Sequence, residues 1–276
     1  MTLDPSWSRP RSYSIDAGGR IATHSLEVHV TDHCNLRCAG CCVLSPLAAR
    51  RFLGADDLAR DLAWAREIVR PSVFKLSGGE PLLAPNIVEL ARVAKASAVA
   101  PRLSLTTNGL LLARAPDALF ELLDAVTVSI YPEVGIDEAS LSALRVRAAR
   151  FGVSLNEKTQ AEFQSMTRRT PERDTAVTRE VFDSCWLRHR CHTLRDGVLF
   201  ACSRPPGLDA LAEAGVALAA EDGISLEPRD GLASDVRRYL ERDEPLASCT
   251  HCLGGTGGLV PFRQLTRAEV RERRPE

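Results

Sequence analysis

The sequence predicts an α/β fold: a partial barrel of parallel βα units followed by a small cysteine-bearing domain. Three observations carry this. Short apolar runs alternate with helical stretches five times between residues 24 and 160, the pattern of parallel strands joined by crossover helices. Five such units are too few to close a barrel of about eight strands. A polar, charged stretch from Gln160 to Thr178 then breaks the alternation, and cysteines reappear beyond it.

In order, Leu26–Val30 reads as a strand running into a cysteine-bearing loop. Asp56 to Val69 reads as a helix, with Leu58, Leu62, Trp64, Ile68 and Val69 on one face, an Asp56 or Asp57 cap and Pro71 as its stop. Val73–Leu76 is a buried strand leading into Ser77-Gly78-Gly79-Glu80-Pro81. Further along, the pattern predicts a helix at Ile87–Ala96, a strand at Leu103–Thr106, a helix at Asp117–Leu123 and a strand at Val126–Ile130. A helix at Glu138–Arg150 and a strand at Val153–Asn156 complete the series. Later, Asp196-Gly197 signals a hairpin and Ser234–Glu241 a helix. The expected division is an extension (1–23), the barrel (24–160), a linker (161–184), the cysteine-bearing domain (185–256) and a tail (257–276).

Composition excludes several classes. The 276 residues are 45% hydrophobic and 26% charged, ordinary for a globular chain with a sizeable core. A net charge of −1 gives no electrostatic claim on nucleic acid or a membrane surface. Only three of the 35 basic residues are lysine: Lys75, Lys95 and Lys158. No apolar run reaches the roughly 18 residues of a membrane span, and Met1 to Arg20 has no signal-like apolar core. A reducing, cytoplasmic location is the expectation, so nine cysteines call for an explanation other than disulfides.

The loop after the first strand contains Cys34, Cys38 and Cys41 in the spacing C-x3-C-x2-C, with Cys42 adjacent. Three thiolates from one short loop can hold three irons of a 4Fe–4S cluster and leave the fourth open to a cofactor. A structural zinc site, the plainer alternative, normally closes with four protein ligands in two separated pairs. With this triplet the chain resembles the radical S-adenosylmethionine (SAM) enzymes. The resemblance implies that the open iron chelates SAM, whose reductive cleavage gives a 5′-deoxyadenosyl radical that abstracts a substrate hydrogen. It also implies a reductant such as flavodoxin or ferredoxin.

The resemblance extends to further residues. Gly78-Gly79-Glu80-Pro81 is similar to the family's motif for the SAM amino group, with Glu80 able to accept from an ammonium. Thr106-Thr107-Asn108-Gly109 is similar to a turn near the cofactor, and Ser129 ends the fourth strand where a ribose contact is common. Ordinary turn chemistry for Asn108 and ordinary strand polarity for Ser129 are the alternatives. One departure stands out. The residue before the last cysteine is usually aromatic and packs near the adenine, but here it is Gly40. Adenine packing must come from elsewhere. Cys42 reads as a buried small residue.

Downstream, eleven residues separate Cys185 from Gly197, and four separate Gly197 from Cys202. This resembles the opening of the SPASM and Twitch auxiliary-cluster domains, with Cys249-x2-Cys252 as the second thiolate pair. The resemblance implies a second 4Fe–4S cluster on Cys185, Cys202, Cys249 and Cys252. A SPASM domain needs seven cysteines for two clusters and only five are present, so the one-cluster Twitch type is the better match. A zinc site from the same four is the alternative. Cys191 is left over. It reads as inert packing, a replacement ligand for Cys185, or a thiol that returns a hydrogen atom to a substrate radical.

Cys42–Pro46, Lys75–Pro81, Ser129–Pro132 and Ser203–Pro206 give the chain a likeness to Twitch-type enzymes acting on sugars and aminoglycosides. Epimerases and alcohol dehydrogenases are the two reactions implied. The spare thiol Cys191 favours epimerisation, since an epimerase needs a hydrogen donor and a dehydrogenase does not. Glu157 and Lys158 follow the fifth strand, where a small polar substrate would sit, with a solvated loop pair as the alternative. His33, His189 and His192 read as supporting or surface residues rather than catalytic ones. Two other classes are weaker: a peptide-modifying enzyme would bring a peptide-binding domain, and a metal-bearing regulator would show a basic face.

Overall fold

The central strand Leu26–Thr31 is buried along its whole length, as a parallel strand under helices requires, whereas the edge strand Ser154–Thr159 is mostly exposed. A computed structural model describes residues 12–208, 210, 211, 216 and 218–273. Residues 1–11 of the expected extension, 274–276 of the expected tail, and 209, 212–215 and 217 of the expected cysteine-bearing domain lie outside the described residues. The barrel half runs β1 (Ile21–Thr23), β2 (Leu26–Thr31), α1 (Ala55–Ile68), β3 (Val69–Pro71), β4 (Phe74–Gly78), α2 (Ile87–Ser97) and β5 (Leu103–Thr107). It continues with α3 (Asp117–Phe120), β6 (Ala125–Ile130), α4 (Glu138–Arg150) and β7 (Ser154–Thr159). The remainder holds β8 (Glu162–Gln164), α5 (Thr175–Asp183), β9 (His192–Arg195), β10 (Val198–Phe200) and α6 (Arg204–Leu208). Then come β11 (Gly223–Ser225), α7 (Leu232–Leu240), β12 (Leu259–Pro261) and α8 (Arg267–Arg273).

Eight strands make one mixed sheet in the order β11-β10-β9-β2-β4-β5-β6-β7. From β9 to β7 every neighbouring pair is parallel, and β10 and β11 add antiparallel strands at one edge. This is the α/β partial barrel expected. The core is continuous, built on Leu58 and Leu62 of α1, Leu90 of α2 and Leu76, Leu105 and Val126 of the strands.

Four features differ from the expectation. The hairpin β9–β10 does not open a separate sheet: β9 pairs in parallel with β2, Leu26 opposite His192 and Glu27 opposite Thr193. Asp61 of α1, buried, fixes its turn by accepting from the Gly197 amide at 2.9 Å. The sheet is therefore unbroken across the expected linker. That linker contains β8 and α5, and the expected tail returns β12 to pair with β8, Val260 opposite Phe163. Helix α3 ends at Phe120 rather than Leu123, because Asp124 is needed at the start of β6, where its carboxylate accepts from the Leu103 amide at 2.7 Å. Finally, β7 runs to Thr159, so Glu157 and Lys158 lie inside a strand rather than after it.

Candidate active site

At the C-terminal ends of the parallel strands lies a cavity of about 420 Å³, within the range of small-molecule sites. The loop after β2 contributes Cys34, Cys38, Cys41 and Cys42 to its wall. Gly78 and Gly79 follow β4, Asn108 follows β5, Ser129 stands on β6 and Lys158 on β7, and all of them line it. Cys191, just before β9, lines the same cavity. Cys42 is exposed to it rather than buried, contrary to the sequence reading.

The cysteine loop is held from two sides. The turn after β4 packs beneath it, with Gly79 N donating to Thr31 O at 2.8 Å and Glu80 N to His33 O at 3.1 Å. A Cβ at Gly79 would stand 1.9 Å from the His33 carbonyl oxygen, so this close approach needs glycine. Residues beyond β12 form the other side. Leu265 N donates to Arg37 O at 2.7 Å and Ala39 N to Arg263 O at 3.0 Å. Burial raises the Cys34 thiol to about 11 and Cys38 to about 12, with the neighbouring cysteines adding to both. The charged thiolate form of such a cluster needs a cation to hold it.

Glu80 does not reach the cavity wall. Its carboxylate is fully buried and accepts from Thr107 Oγ1 at 2.7 Å, Asn108 N at 2.8 Å and Leu82 N at 3.1 Å. Burial raises its pKa, against three hydrogen bonds that favour the charged form. Its visible work is to tie the turn after β4 to the turn after β5. That brings Asn108 over the loop, where Nδ2 donates to Asn35 Oδ1 at 2.7 Å. Glu157 is also absent from the cavity. Alternation along β7 puts Asn156 and Lys158 on the cavity side and turns Glu157 toward α4, where Arg145 grips it at 2.6 and 2.7 Å. The expected Glu157–Lys158 pair is thus split.

Two of the three histidines singled out in the sequence have defined side-chain contacts. His192 is buried and its Nδ1 donates to Ala201 O at 2.8 Å, and burial lowers it to about 4. His33 packs edge-on against Phe52 and meets Thr31 Oγ1 at 2.6 Å.

Several lining groups are not among the residues that the sequence singles out for the site. Glu27 of β2 and Lys75 of β4 are register partners on the cavity wall. Burial raises the Glu27 carboxyl, and Lys75 opposes the shift. Alternating apolar and charged residues in a strand could have flagged both. Tyr131 and Phe163 also line the cavity, beside Phe262, with rings in mutual contact at 5.0 to 6.0 Å between centroids.

The other four cysteines meet elsewhere. Cys185, Cys202, Cys249 and Cys252 line a second, much smaller cavity, closed by Val181, Phe182, Leu240 and Leu246. Cys191 does not line it, although it packs in one small apolar cluster with Cys185 and Cys202. Burial raises the thiols of Cys185, Cys202 and Cys249, and neighbouring cysteines add to each. Three guanidiniums, Arg188, Arg204 and Arg242, also line this cavity, and each has a buried N–H with no hydrogen-bond partner among the described residues. Arg204 binds the two regions together, donating to the Cys42 carbonyl and, at 2.7 Å, to Thr167 Oγ1. Among the described residues, no three acidic, cysteine or histidine side chains draw close enough to chelate a single ion.

No helix among the described residues is long and apolar enough to cross a membrane. Residues 28–151 match the Radical SAM superfamily. A Mycobacterium tuberculosis protein named GTP 3′,8-cyclase 2 is 39% identical over 137 residues, covering 48% of this chain and 37% of that protein. GTP 3′,8-cyclase of Streptomyces coelicolor is 40% identical over 120 residues, covering 42% and 35%. The chain thus spans little more than a third of the length of these curated relatives. Of solved structures, BtrN in complex with AdoMet and 2-DOIA aligns over 83% of this chain and 92% of that one, with 14% identity and a TM-score of 0.48. The match of residues 28–151 to the Radical SAM superfamily covers the three-cysteine loop and the turn that packs beneath it.

Proposed function

We propose that the chain inverts a hydroxyl-bearing carbon of a small polar substrate of sugar or aminoglycoside type, with Cys191 as the hydrogen donor. The single observation that carries this reading is the partition of the cysteines. Cys191 lines the cavity of Cys34, Cys38 and Cys41, while Cys185, Cys202, Cys249 and Cys252 line the other. In this reading Cys34, Cys38 and Cys41 hold the SAM-binding cluster. When bound, the cluster and SAM supply a 5′-deoxyadenosyl radical that takes a hydrogen atom from the substrate. Cys191 then returns one. Burial and the Glu27 carboxylate push its thiol up to about 12, so it keeps its S–H at neutral pH. It regains the hydrogen by one electron from a flavodoxin- or ferredoxin-type reductant and one proton from solvent. Lys158 and Asn156 on β7 offer donors to substrate oxygens.

The second cavity is assigned to an auxiliary 4Fe–4S cluster. Its four thiols and three guanidiniums with unsatisfied buried N–H suit an anionic thiolate-ligated group, because unpaired buried donors are costly. The nine free thiols accord with a reducing, cytoplasmic setting.

A dehydrogenase is the alternative, in which the substrate radical gives up an electron to form a ketone and Cys191 is idle. The relatives' names offer a further one, cyclisation of a purine nucleotide such as GTP. Anaerobic turnover of candidate sugars, aminoglycoside intermediates and GTP in deuterium oxide separates the three. Epimerisation gives an isomer with one solvent deuterium at the inverted carbon. A ketone lacking two hydrogens and any solvent label favours the dehydrogenase, and consumption of GTP alone favours the cyclase. Cys191→Ala should still cleave SAM at about the wild-type rate but lose inversion by about a hundredfold or more. Loss of iron from that variant would instead make Cys191 a ligand.

A further inference from the structure

The glycine at position 40 leaves a space beside the cysteine loop, and the structure fills it with a residue more than a hundred positions later in the sequence. A Cβ built on Gly40 would lie 2.6 Å from the Phe163 Cβ and 3.0 Å from its ring. The two positions are therefore exclusive: either residue 40 carries a side chain or Phe163 occupies the place. Phe163 stands on β8, and β8 is held by its pairing with β12 and by the Phe262 amide donating to the Ala161 carbonyl at 2.8 Å. The ring lies 5.8 Å from the Tyr131 ring with 15° between their planes, an offset-stacked pair. Phe262 backs both, at 5.0 Å from Tyr131 and 6.0 Å from Phe163. Both Phe163 and Tyr131 are half-buried and face the cavity that Cys34, Cys38 and Cys41 line.

An aromatic ring that lines a polar cavity, with a second ring stacked against it, can receive a further flat ring by stacking. Stacking on a nucleobase is tolerant of base identity and needs only the π-face. We propose that Phe163, braced by Tyr131 and Phe262, is the shelf on which the adenine of SAM stacks, taking over the place that Gly40 leaves empty. This rests on the reading that Cys34, Cys38 and Cys41 hold the SAM-binding cluster. Phe163 is thus a cofactor-positioning residue that arrives from a segment outside the matched domain.

The test is the binding of S-adenosylhomocysteine and of methionine to the anaerobically reconstituted full chain, by calorimetry, with iron counted in every variant. Phe163→Leu keeps the apolar packing and removes the ring. It should bind S-adenosylhomocysteine about tenfold more weakly and bind methionine, which lacks the base, as the wild type does. Phe163→Trp should stay within about threefold of the wild type. Gly40→Phe combined with Phe163→Ala should recover most of the affinity, because the ring returns from the neighbouring position into the space vacated. Equal losses for both ligands, or no loss for Phe163→Leu, would overturn the shelf. So would a double variant that binds no better than Phe163→Ala. If instead the wild type with its full iron content binds neither ligand, the reading of the cysteine loop fails, and the shelf with it.

Discussion

The two cysteine-lined cavities are built from the same thiol chemistry and differ in everything around it. The barrel cavity is about 420 Å³ and mixes carboxylate, amine, hydroxyl and amide groups with its thiols. The second measures only about 30 Å³ and is walled by apolar side chains and guanidiniums. A site of the first kind admits a substrate, and one of the second kind excludes it. The contrast teaches that thiol count does not assign a role to a cysteine. Cys191 sits only six positions from Cys185 in sequence, yet it belongs to the open cavity. What shares its space decides what it can react with.

The comparison is tested most severely by stripping one side of it. Cys34, Cys38 and Cys41 replaced together by Ala should abolish 5′-deoxyadenosine formation while about four irons per chain remain on the second site. Retained SAM cleavage, or loss of all iron, would break the separation of the two sites. A smaller effect is expected at Arg188, whose guanidinium packs 3.8 Å from the centre of the Phe182 ring with Nε and Nη2 unpartnered. In iron-free protein those donors are a cost, so Arg188→Met should raise the melting temperature. In loaded protein they face an anionic group, so the same change should lower it, by a shift worth about 1–3 kcal/mol. Thermal scans of both forms check the reversal of sign, and a shift of the same sign in both would remove Arg188 from the cluster's surroundings. The smallest effects lie on β7. Lys158→Gln should raise KM several-fold with little change in kcat, whereas Glu157→Gln should change neither by more than about twofold, since exposed ion pairs contribute little. Steady-state kinetics on both variants would reject the strand alternation if the two responses were exchanged.

Much of this was legible in the sequence because it is local. Thiol spacing in Cys34–Cys41, the turn at Gly78-Gly79-Glu80 and the βα alternation are all written within a few residues of one another. The parts that were not legible depend on distant pairing. Phe163 gains its role only when β12 holds β8, and the polar stretch around it reads as a break. Glu157 and Lys158 separate because β7 continues past Asn156, which no turn signal announced. Glu80 has the expected identity but spends its oxygens on Thr107, Asn108 and Leu82, a network set by the close approach of three turns. Cys42 shows the same limit: adjacency to Cys41 says nothing of which way the thiol faces.

The strand of contacts from Arg263 to Leu265 onto Arg37 and Ala39 also sets a clock. Arg37 Nε donates to the carbonyl of Leu265, 228 positions later in the chain. A ribosome adding about 5–20 residues per second needs roughly 11–46 s to travel that distance. For all of that interval the cysteine loop has been synthesised but lacks the backbone partner along one edge. Iron that arrives during translation therefore meets three thiols on an unfinished loop. Iron that arrives once residues 263–265 are in place would meet them already fastened. Fastening of the loop is in that sense timed by the segment around Leu265 rather than by the loop's own residues.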